Sequence, residues 1–222
     1  MTGAGDAAFA ANLIERAGRL STCQLSDALD RRGLRRGGLP GIHPLEPARP
    51  AVGRAFTVDI QAVGQASPAE GNYLDQLGPG DFVVLAARGR IDCSVWGGNR
   101  TIAALRHGAV AAVADGAYRD VDEHRAYQFP VYGLACTPMA GRGHVTPTSI
   151  GAPVVVCGVR VEPGDLVAAD SSGVVVVPWA HAVEVVARAE SLAAEEAELK
   201  RAMPPARLPS PRRRVSPGGG DR

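Results

Sequence analysis

Short apolar stretches, separated by glycine and proline turns, fill the middle of the chain. Apolar positions between residues 98 and 107 recur with the spacing of a helix, and this helix falls between two of the stretches. Strand, helix and strand in this order are typical of a parallel sheet. The predicted strands are AFTVDI within 52–63, FVVLAA after the turn Gly78–Asp81, AVAAVAD at 109–115 and FPVYGLAC at 129–136.

The two ends of the chain carry helical patterns. Residues 9–20 and 22–32 predict two short helices, the second capped by Ser21 or Thr22 and ended by Gly33. A long helix is predicted over 179–200. Its apolar face is expected to consist of Val183, Val186, Ala189, Leu192 and Leu199.

The segments that join these elements are predicted to be turns, loops and short strands. Residues 37–50 and 138–147 are expected to be loops, and 152–178 a compact β region. Within that region PGDLV at 163–167 echoes PGDFV at 79–83, through either a repeated turn-and-strand unit or coincidence. We therefore expect one α/β domain over residues 1–203.

A proline- and arginine-rich tail over residues 204–222 accounts for the positive net charge. The tail holds five arginines and one aspartate, which is a net charge of +4. Since the whole chain has a net charge of +1, the body (residues 1–203) has a net charge of −3. Its composition cannot form a core and predicts disorder, and the body's charge disfavours direct nucleic-acid binding. The run at 212–214 is either solvated or in contact with RNA or a membrane. No apolar run is long enough to span a membrane, and no secretory signal begins the chain, so we expect a cytoplasmic protein.

The basic residues are almost all arginine, since Lys200 is the only lysine among 24. It lies in a charged run at the end of the predicted last helix, whereas a Schiff-base lysine needs a desolvated pocket. The sequence also lacks a nucleophile-elbow serine motif, a Walker loop and a dinucleotide-binding glycine fingerprint. Schiff-base, hydrolase, nucleotidase and dinucleotide chemistry are therefore disfavoured.

Two motifs at strand ends carry the candidate chemistry. In WGGNRT, Gly97 and Gly98 precede a helix and would let the N–H groups of Asn99 and Arg100 point into a cleft and bind an anion; alternatively, the glycines serve packing alone. In DGAYRD, Arg119 would hold a carboxylate with two hydrogen bonds, and Asp120 would anchor Mg²⁺. The alternative is an exposed charged turn.

These motifs, together with FPVYG, TCQLSDAL and GVRVEPGDLVAADSSGVVVVP, resemble the RraA-like family over about residues 20–200. The family includes 4-hydroxy-4-methyl-2-oxoglutarate aldolases and regulators of ribonuclease E activity. The resemblance implies a single swivelling α/β/β domain, a homotrimer or hexamer, and a divalent-metal site (Mg²⁺ or Mn²⁺) at a subunit interface. It implies that residues 97–100 bind a small 2-oxo acid, that Arg119 binds the carboxylate of this acid, and that Asp120 binds the metal. A glutamate of a neighbouring C-terminal helix contributes in the aldolases, here Glu195, Glu196 or Glu198.

The sequence departs from the aldolases at one acidic position. An acid 21 positions before the arginine is replaced by Gly98, and the pattern ends with Glu123, as in the ribonuclease regulators and in members that act as oxaloacetate decarboxylases. Retro-aldol cleavage needs a base, whereas decarboxylation needs only an electron sink, so Glu123 is a third candidate catalytic residue beside Arg119 and Asp120. The expected function is a class II, metal-dependent carbon–carbon lyase that releases pyruvate. The alternative is a non-catalytic regulator of a ribonuclease or other protein.

Overall fold

A mixed β-sheet forms the centre of the computed structural model, which describes residues 3–35 and 37–203. Within these ranges the sheet has the strand order β1-β5-β4-β3-β2-β9-β10, with β6 on the second half of β2, and β7 and β8 form a separate hairpin. The pairs β2–β3, β3–β4 and β4–β5 are parallel. The strands are β1 His43–Pro44, β2 Ala51–Ala62, β3 Asp81–Trp96, β4 Ala111–Tyr118, β5 Val131–Cys136, β6 Val145–Ile150, β7 Val154–Val156, β8 Val159–Val161, β9 Leu166–Asp170 and β10 Gly173–Val177.

Helices flank the sheet and close both ends of the chain, as the sequence predicts. They are α1 Gly3–Ala17, α2 Thr22–Arg31, α3 Gly98–Arg106, α4 Val121–Ala126 and α5 Ala182–Ala202, with 3-10 helices at Tyr73–Gln76 and Trp179–His181. No helix in the described ranges is long and apolar enough to cross a membrane. The mixed α/β class and the long last helix are confirmed, whereas the tail 204–222 lies outside the described residues.

The alternation of β3 divides the core between the two faces of the sheet. Phe82 and Val84 pack with the β7–β8 hairpin on one face, and Val83 and Leu85 pack with α3 on the other. A third cluster joins α1, α2 and α5 to β9 and β10. Because side chains alternate across a strand, the first residues of β3 contribute to the core on both faces of the sheet. The residues on one of these faces pack against α3.

The face of α5 that packs inward differs from the predicted one. Val183 and Leu199 are 42% and 59% exposed, so their assignment to the apolar face was wrong. The predicted helix began at residue 179, but a 3-10 turn occupies 179–181 and α5 begins at Ala182. Leu199 lies beyond Leu192, the last buried position of α5. The buried positions are Ala182, Val185, Val186, Ala189 and Leu192.

Three further departures from the sequence expectation involve long-range pairing. The expected loop 37–50 contains β1, which pairs with β5, and the loop 138–147 overlaps the first residues of β6. Strand β3 continues nine residues past the predicted apolar run because irregular pairing with β4 carries it to Trp96. Such pairing depends on partners far along the chain, and local patterns do not reveal it.

The echoed PGD motifs form the same turn twice. The N–H of Gly78 donates to Asp81 Oδ2 at 2.7 Å, and the N–H of Glu162 donates to Asp165 Oδ2 at 2.8 Å. The turns lead into β3 and β9, which flank β2 on opposite edges. Arg54 of β2 donates to the Gly164 carbonyl. Burial lowers the pKa of Arg54, and the negative charges of Asp165 and Asp81 oppose this effect, so one cation serves both turns.

The start of α2 offers a test of local stability. Ser21 is the cap: its hydroxyl accepts the N–H of Gln24 at 3.2 Å, and the Gln24 side chain accepts the N–H of Ser21 at 3.0 Å. We predict that Ser21→Ala lowers the free energy of unfolding by about 1 kcal/mol in urea denaturation. Ser26→Ala in the same helix removes a hydroxyl that makes no described hydrogen bond and is the control. Equal stability of the two variants would contradict the prediction.

Candidate active site

Two neighbouring parallel strands end side by side and position the two candidate motifs. Trp96, the last residue of β3, pairs with Tyr118, the last residue of β4. The N–H of Arg119 then donates to the Trp96 carbonyl at 3.0 Å. The glycine turn and the Arg119–Asp120 pair therefore meet at the carboxyl edge of the sheet, where open α/β sheets bind their ligands.

Asp120 links the two motifs through one carboxylate oxygen. Its Oδ2 accepts the N–H of Gly98 at 2.9 Å and Nε–H of Arg119 at 3.1 Å. Asp120 has φ 59° and ψ 44°, a left-handed conformation that costs most residues free energy and that aspartate adopts more readily than most. It precedes α4 but does not cap that helix through its side chain. Its carboxylate instead stabilises the N-terminus of α3.

The remaining polar atoms of this pair are free to bind a ligand. Arg119 uses only Nε in its described hydrogen bonds, so both terminal nitrogens have no acceptor among the described residues. Asp120 Oδ1 likewise has no described donor. The two side chains are 36% and 27% exposed, so each is partly desolvated and still accessible. A guanidinium in this state can hold a carboxylate with two parallel hydrogen bonds.

Acidic side chains occupy the space that a Cβ on either glycine would fill. A Cβ on Gly97 would lie 2.8 Å from Asp120 Oδ2, and a Cβ on Gly98 would lie 1.8 Å from Glu123 Oε2. Neither glycine has a left-handed φ that would require it. The Glu123 carboxylate therefore occupies the space where a side chain of residue 98 would begin.

The predicted cradle of N–H groups is smaller than expected. The N–H of Arg100 donates to the Gly97 carbonyl at 3.0 Å, so it was wrongly expected to point into the cleft. The N–H of Gly98 is bound to Asp120. The reason is a tight first turn of α3, which uses donors that an open helix end would leave free. Of the expected donors, the N–H of Asn99 has no acceptor among the described residues.

A cavity of about 730 Å³ opens over these residues. Of the predicted site residues, Gly97, Asn99, Arg100, Arg119 and Asp120 line it, whereas Gly98 and Glu123 do not. Sequence reasoning missed four polar residues of the lining, which lie outside the predicted motifs: Asn72, Tyr73, Ser94 and Arg142. The arginine in the glycine-rich segment 138–147 was the one available signal.

A buried hydrogen-bond chain supports the Arg119 backbone from below. Trp96 Nε1 lies 2.9 Å from Thr101 Oγ1, which lies 3.0 Å from His124 Nδ1, and His124 Nε2 lies 2.7 Å from the Arg119 carbonyl. The indole and the carbonyl have one role each, so Thr101 donates to Nδ1 and a neutral His124 donates from Nε2. Burial lowers the pKa of His124, which agrees with this neutral form.

His124 lies in the segment that the sequence left open as an exposed charged turn. The side chain is fully buried, because the supposed charged turn folds as α4 and turns this residue inward. Among the cysteines, Cys23 and Cys136 are exposed. All four cysteines are free.

The donor set fits a cation that retains much of its water. Asp120 offers a free carboxylate oxygen at the polar cavity, and Mg²⁺ is often held through one or two protein carboxylates. The described ranges contain no group of three or more His, Cys, Asp or Glu side chains able to enclose a metal. A closed structural site is therefore not formed by the described residues, and Asp120 alone faces the cavity as a carboxylate ligand.

The glutamates of α5 do not line this cavity within one chain. Glu195 accepts hydrogen bonds from Arg188 and Ser191, and Glu196 accepts one from Gln24 and pairs with Lys200. The contribution of Glu195, Glu196 or Glu198 to a neighbouring subunit therefore stays a prediction. Lys200 is 74% exposed, which agrees with its exclusion as a Schiff-base residue.

Fold and site together define an α/β protein with an arginine- and carboxylate-lined cavity at the carboxyl edge of a parallel sheet. The family model described as RraA-like, Aldolase/RraA, matches residues 22–176. The chain belongs to the RraA-like family. This confirms the resemblance drawn from its motifs and the swivelling α/β/β fold that the resemblance implied.

Curated relatives and solved structures agree with this assignment. Protein DlpA of Legionella pneumophila is 32% identical over 86% of this chain, which spans about a third (32%) of that protein. A putative 4-hydroxy-4-methyl-2-oxoglutarate aldolase of Halalkalibacterium halodurans is 30% identical, covering 82% of this chain and 84% of that one. An uncharacterized protein from Pseudomonas syringae is 37% identical with a TM-score of 0.80, covering 86% and 91%. RraAS2 of Streptomyces coelicolor, from the RNase ES inhibitor RraA family, is 29% identical with a TM-score of 0.76, covering 86% and 96%.

The shared space of Gly98 and Glu123 predicts an energetic coupling. Gly98→Ala forces the Glu123 carboxylate to move, whereas in a Glu123→Ala background the new methyl group meets no clash. We expect a coupling of about 1 kcal/mol between the two positions in a double-mutant cycle of urea unfolding. The control is Gly38→Ala, whose Cβ would enter open space and whose effect should add to that of Glu123→Ala. Additive effects of Gly98→Ala and Glu123→Ala would contradict the geometry.

The buried chain under Arg119 predicts a different response at Thr101. Thr101→Val keeps the shape but leaves the Trp96 N–H and His124 Nδ1 without partners, so we expect a loss of about 2–4 kcal/mol in the free energy of unfolding. Thr101→Ser keeps the hydroxyl and should lose only about 1 kcal/mol for the methyl group. Urea denaturation monitored by tryptophan fluorescence measures both. A valine variant as stable as the serine variant would refute the hydrogen-bond chain.

Proposed function

We propose that the protein is a divalent-metal-dependent lyase that acts on small 2-oxo acids and releases pyruvate. The observation that carries the proposal is the pair Arg119 and Asp120, whose free guanidinium nitrogens and free carboxylate oxygen face one cavity. A free carboxylate oxygen beside a free guanidinium suits a ligand that bears both a carboxylate and a metal-binding keto oxygen. The aldolase name of a relative that is 30% identical supports the same class.

Each residue of the site has a role in this reaction. Arg119 binds the C1 carboxylate of the substrate through its terminal nitrogens, and the Asn99 N–H adds a donor at the same edge. The Asp120–Gly98 hydrogen bond keeps both motifs at a fixed separation. His124, which holds the Arg119 carbonyl, is a positioning residue.

Asp120 would hold Mg²⁺ or Mn²⁺, a Lewis acid that stabilises negative charge developing on the substrate's keto oxygen. Aldol cleavage and decarboxylation both leave the enolate of pyruvate, so the same Arg119 contact serves either reaction. They differ in the need for a base. Glu123 does not line the cavity, but its carboxylate lies beside Gly98 and would accept the hydroxyl proton of an aldol substrate through a water molecule. Decarboxylation has no such proton to remove.

Pyruvate release tests the proposal. With Mg²⁺ or Mn²⁺ present we expect turnover of oxaloacetate or 4-hydroxy-4-methyl-2-oxoglutarate, abolished by EDTA. Asp120→Asn keeps the size of the side chain but removes its charge and should lower kcat/KM by about 100-fold or more, because charge stabilisation by a metal is worth several kcal/mol. The control is Asp122→Asn, whose side chain is 98% exposed and which should retain full activity. Failure to turn over either substrate would refute the lyase assignment, and full activity of Asp120→Asn would refute the role of Asp120.

A non-catalytic regulator is the second candidate, and the likeness to RraAS2 favours it. In that case the body, which has a net charge of −3, would contact a large partner such as a ribonuclease. Ribonuclease cleavage that slows in the presence of the protein, also with Asp120→Asn, would support this function. For either function we propose a homotrimer or hexamer of the 23.0 kDa chain, which light scattering after size exclusion would measure.

A further inference from the structure

Buried polar side chains in the described ranges are almost all hydrogen-bonded. Seven serine, threonine, aspartate and histidine residues are buried there. Six of them make side-chain hydrogen bonds to described residues: Thr22, Thr57, Thr101, Asp115, His124 and Asp165. The seventh is Ser94, which is 3% exposed and whose hydroxyl makes no hydrogen bond to a described residue. Because an unpaired buried hydroxyl destabilises the folded chain, native structures rarely retain one unless water or a ligand pairs with it.

The Ser94 hydroxyl belongs to the cavity that holds Arg119 and Asp120, since Ser94 is one of the lining residues. In the described ranges the only fully enclosed side-chain oxygen or nitrogen without a partner is the hydroxyl of Tyr73. The Ser94 hydroxyl is therefore accessible, and the cavity is the space from which a ligand reaches it.

Two neighbouring segments hold the Ser94 backbone. Ser94 pairs with Ala117 of β4, and on its other side its N–H donates to the Met139 carbonyl at 3.0 Å. Gly141 lies so close to the Ser94 carbonyl that a Cβ at this glycine would have no room. The hydroxyl is thus carried by a fixed strand rather than by a loop, which suits a preorganised binding group.

Ser94 lies deeper in the cavity than the charged pair, whose side chains are 36% and 27% exposed. It comes three residues before Gly97 on β3, and its partner Ala117 comes two residues before Arg119. At about 3.3 Å per residue, Ser94 is about 7–10 Å from these strand ends along the sheet. A ligand whose carboxylate binds Arg119 would therefore direct its carbon chain toward Ser94.

We propose that Ser94 is a specificity-determining residue whose hydroxyl hydrogen-bonds a hydroxyl group on the carbon chain of the bound 2-oxo acid. The inference rests on the proposed lyase function and adds a residue to its site. A hydroxyl both donates and accepts, so it satisfies the proton and the lone pairs of Ser94 together, whereas a methyl group leaves both unpaired. A site that hydrogen-bonds a ligand hydroxyl rejects the analogue without it for this reason.

Calorimetric titration of the full chain with Mg²⁺ present tests the role of Ser94, with pyruvate as the reference ligand. Two pairs of ligands differ only by a hydroxyl or a methyl group: 3-hydroxypyruvate with 2-oxobutanoate, and 5-hydroxy-2-oxopentanoate with 2-oxohexanoate. None of them carries a group that the proposed reaction removes, so all stay intact. We expect the original chain to bind the hydroxy acid of at least one pair about 5-fold or more tightly than its methyl analogue. Ser94→Ala should abolish this difference and leave the affinities for pyruvate and the methyl analogues unchanged.

Two control variants separate this role from a structural one. Ser149→Ala removes a serine hydroxyl outside the cavity lining and should change no affinity. Thr57→Val removes a buried hydroxyl that donates to the Ala152 carbonyl at 2.7 Å, so it should lower the melting temperature and leave the ligand preference unchanged. Ser94→Ala should not lower the melting temperature, because the hydroxyl that it removes has no partner among the described residues.

Several outcomes would overturn the role of Ser94. These are equal affinity within both ligand pairs in the original chain, or a hydroxyl preference that survives in Ser94→Ala. A melting temperature that falls as far in Ser94→Ala as in Thr57→Val, with the preference retained, would show that the hydroxyl is structural. Absence of both pyruvate binding and pyruvate release in the original chain would refute the lyase function itself, whereas pyruvate binding without a hydroxyl preference would refute only the role of Ser94.

Discussion

One carboxylate oxygen, Oδ2 of Asp120, joins the two halves of the candidate site. It binds the N–H of Gly98 at the start of α3 and Nε–H of Arg119 after β4. The pairing of β3 with β4 brings these segments together, but this oxygen sets their separation. Because Oδ2 is used in this way, Oδ1 and the terminal nitrogens of Arg119 are the atoms left for a ligand. The constraint thus decides which atoms can do chemistry.

The same constraint explains the residues around it. The Asp120 and Glu123 carboxylates fill the space beside Gly97 and Gly98, next to the atoms left for a ligand, so a packing role and a binding role for these glycines are compatible. The two alternatives that the sequence left open are therefore not exclusive. His124 holds the Arg119 carbonyl from the opposite side, so hydrogen bonds fix both the backbone and the side chain of this arginine. A pair fixed in this way loses little conformational entropy on binding.

The sequence predicted those parts of the molecule that depend on local pattern. The parallel unit from β3 to β4, the Ser21 cap and the position of Arg119 and Asp120 after a buried strand all follow from spacing along the chain. The sequence did not reveal features that depend on distant partners, which are the β1–β5 pair and the burial of His124. The position of Tyr73 in the cavity lining was missed for the same reason, since its segment has no periodicity and reaches the cavity only through the tertiary fold.

The distribution of charge connects the composition to the site. The body has a net charge of −3, yet the cavity lining carries three arginines and one aspartate, so positive charge is concentrated at the cavity. Arginine suits such a cavity better than lysine, because its guanidinium stays charged when partly buried and directs its donors in a plane.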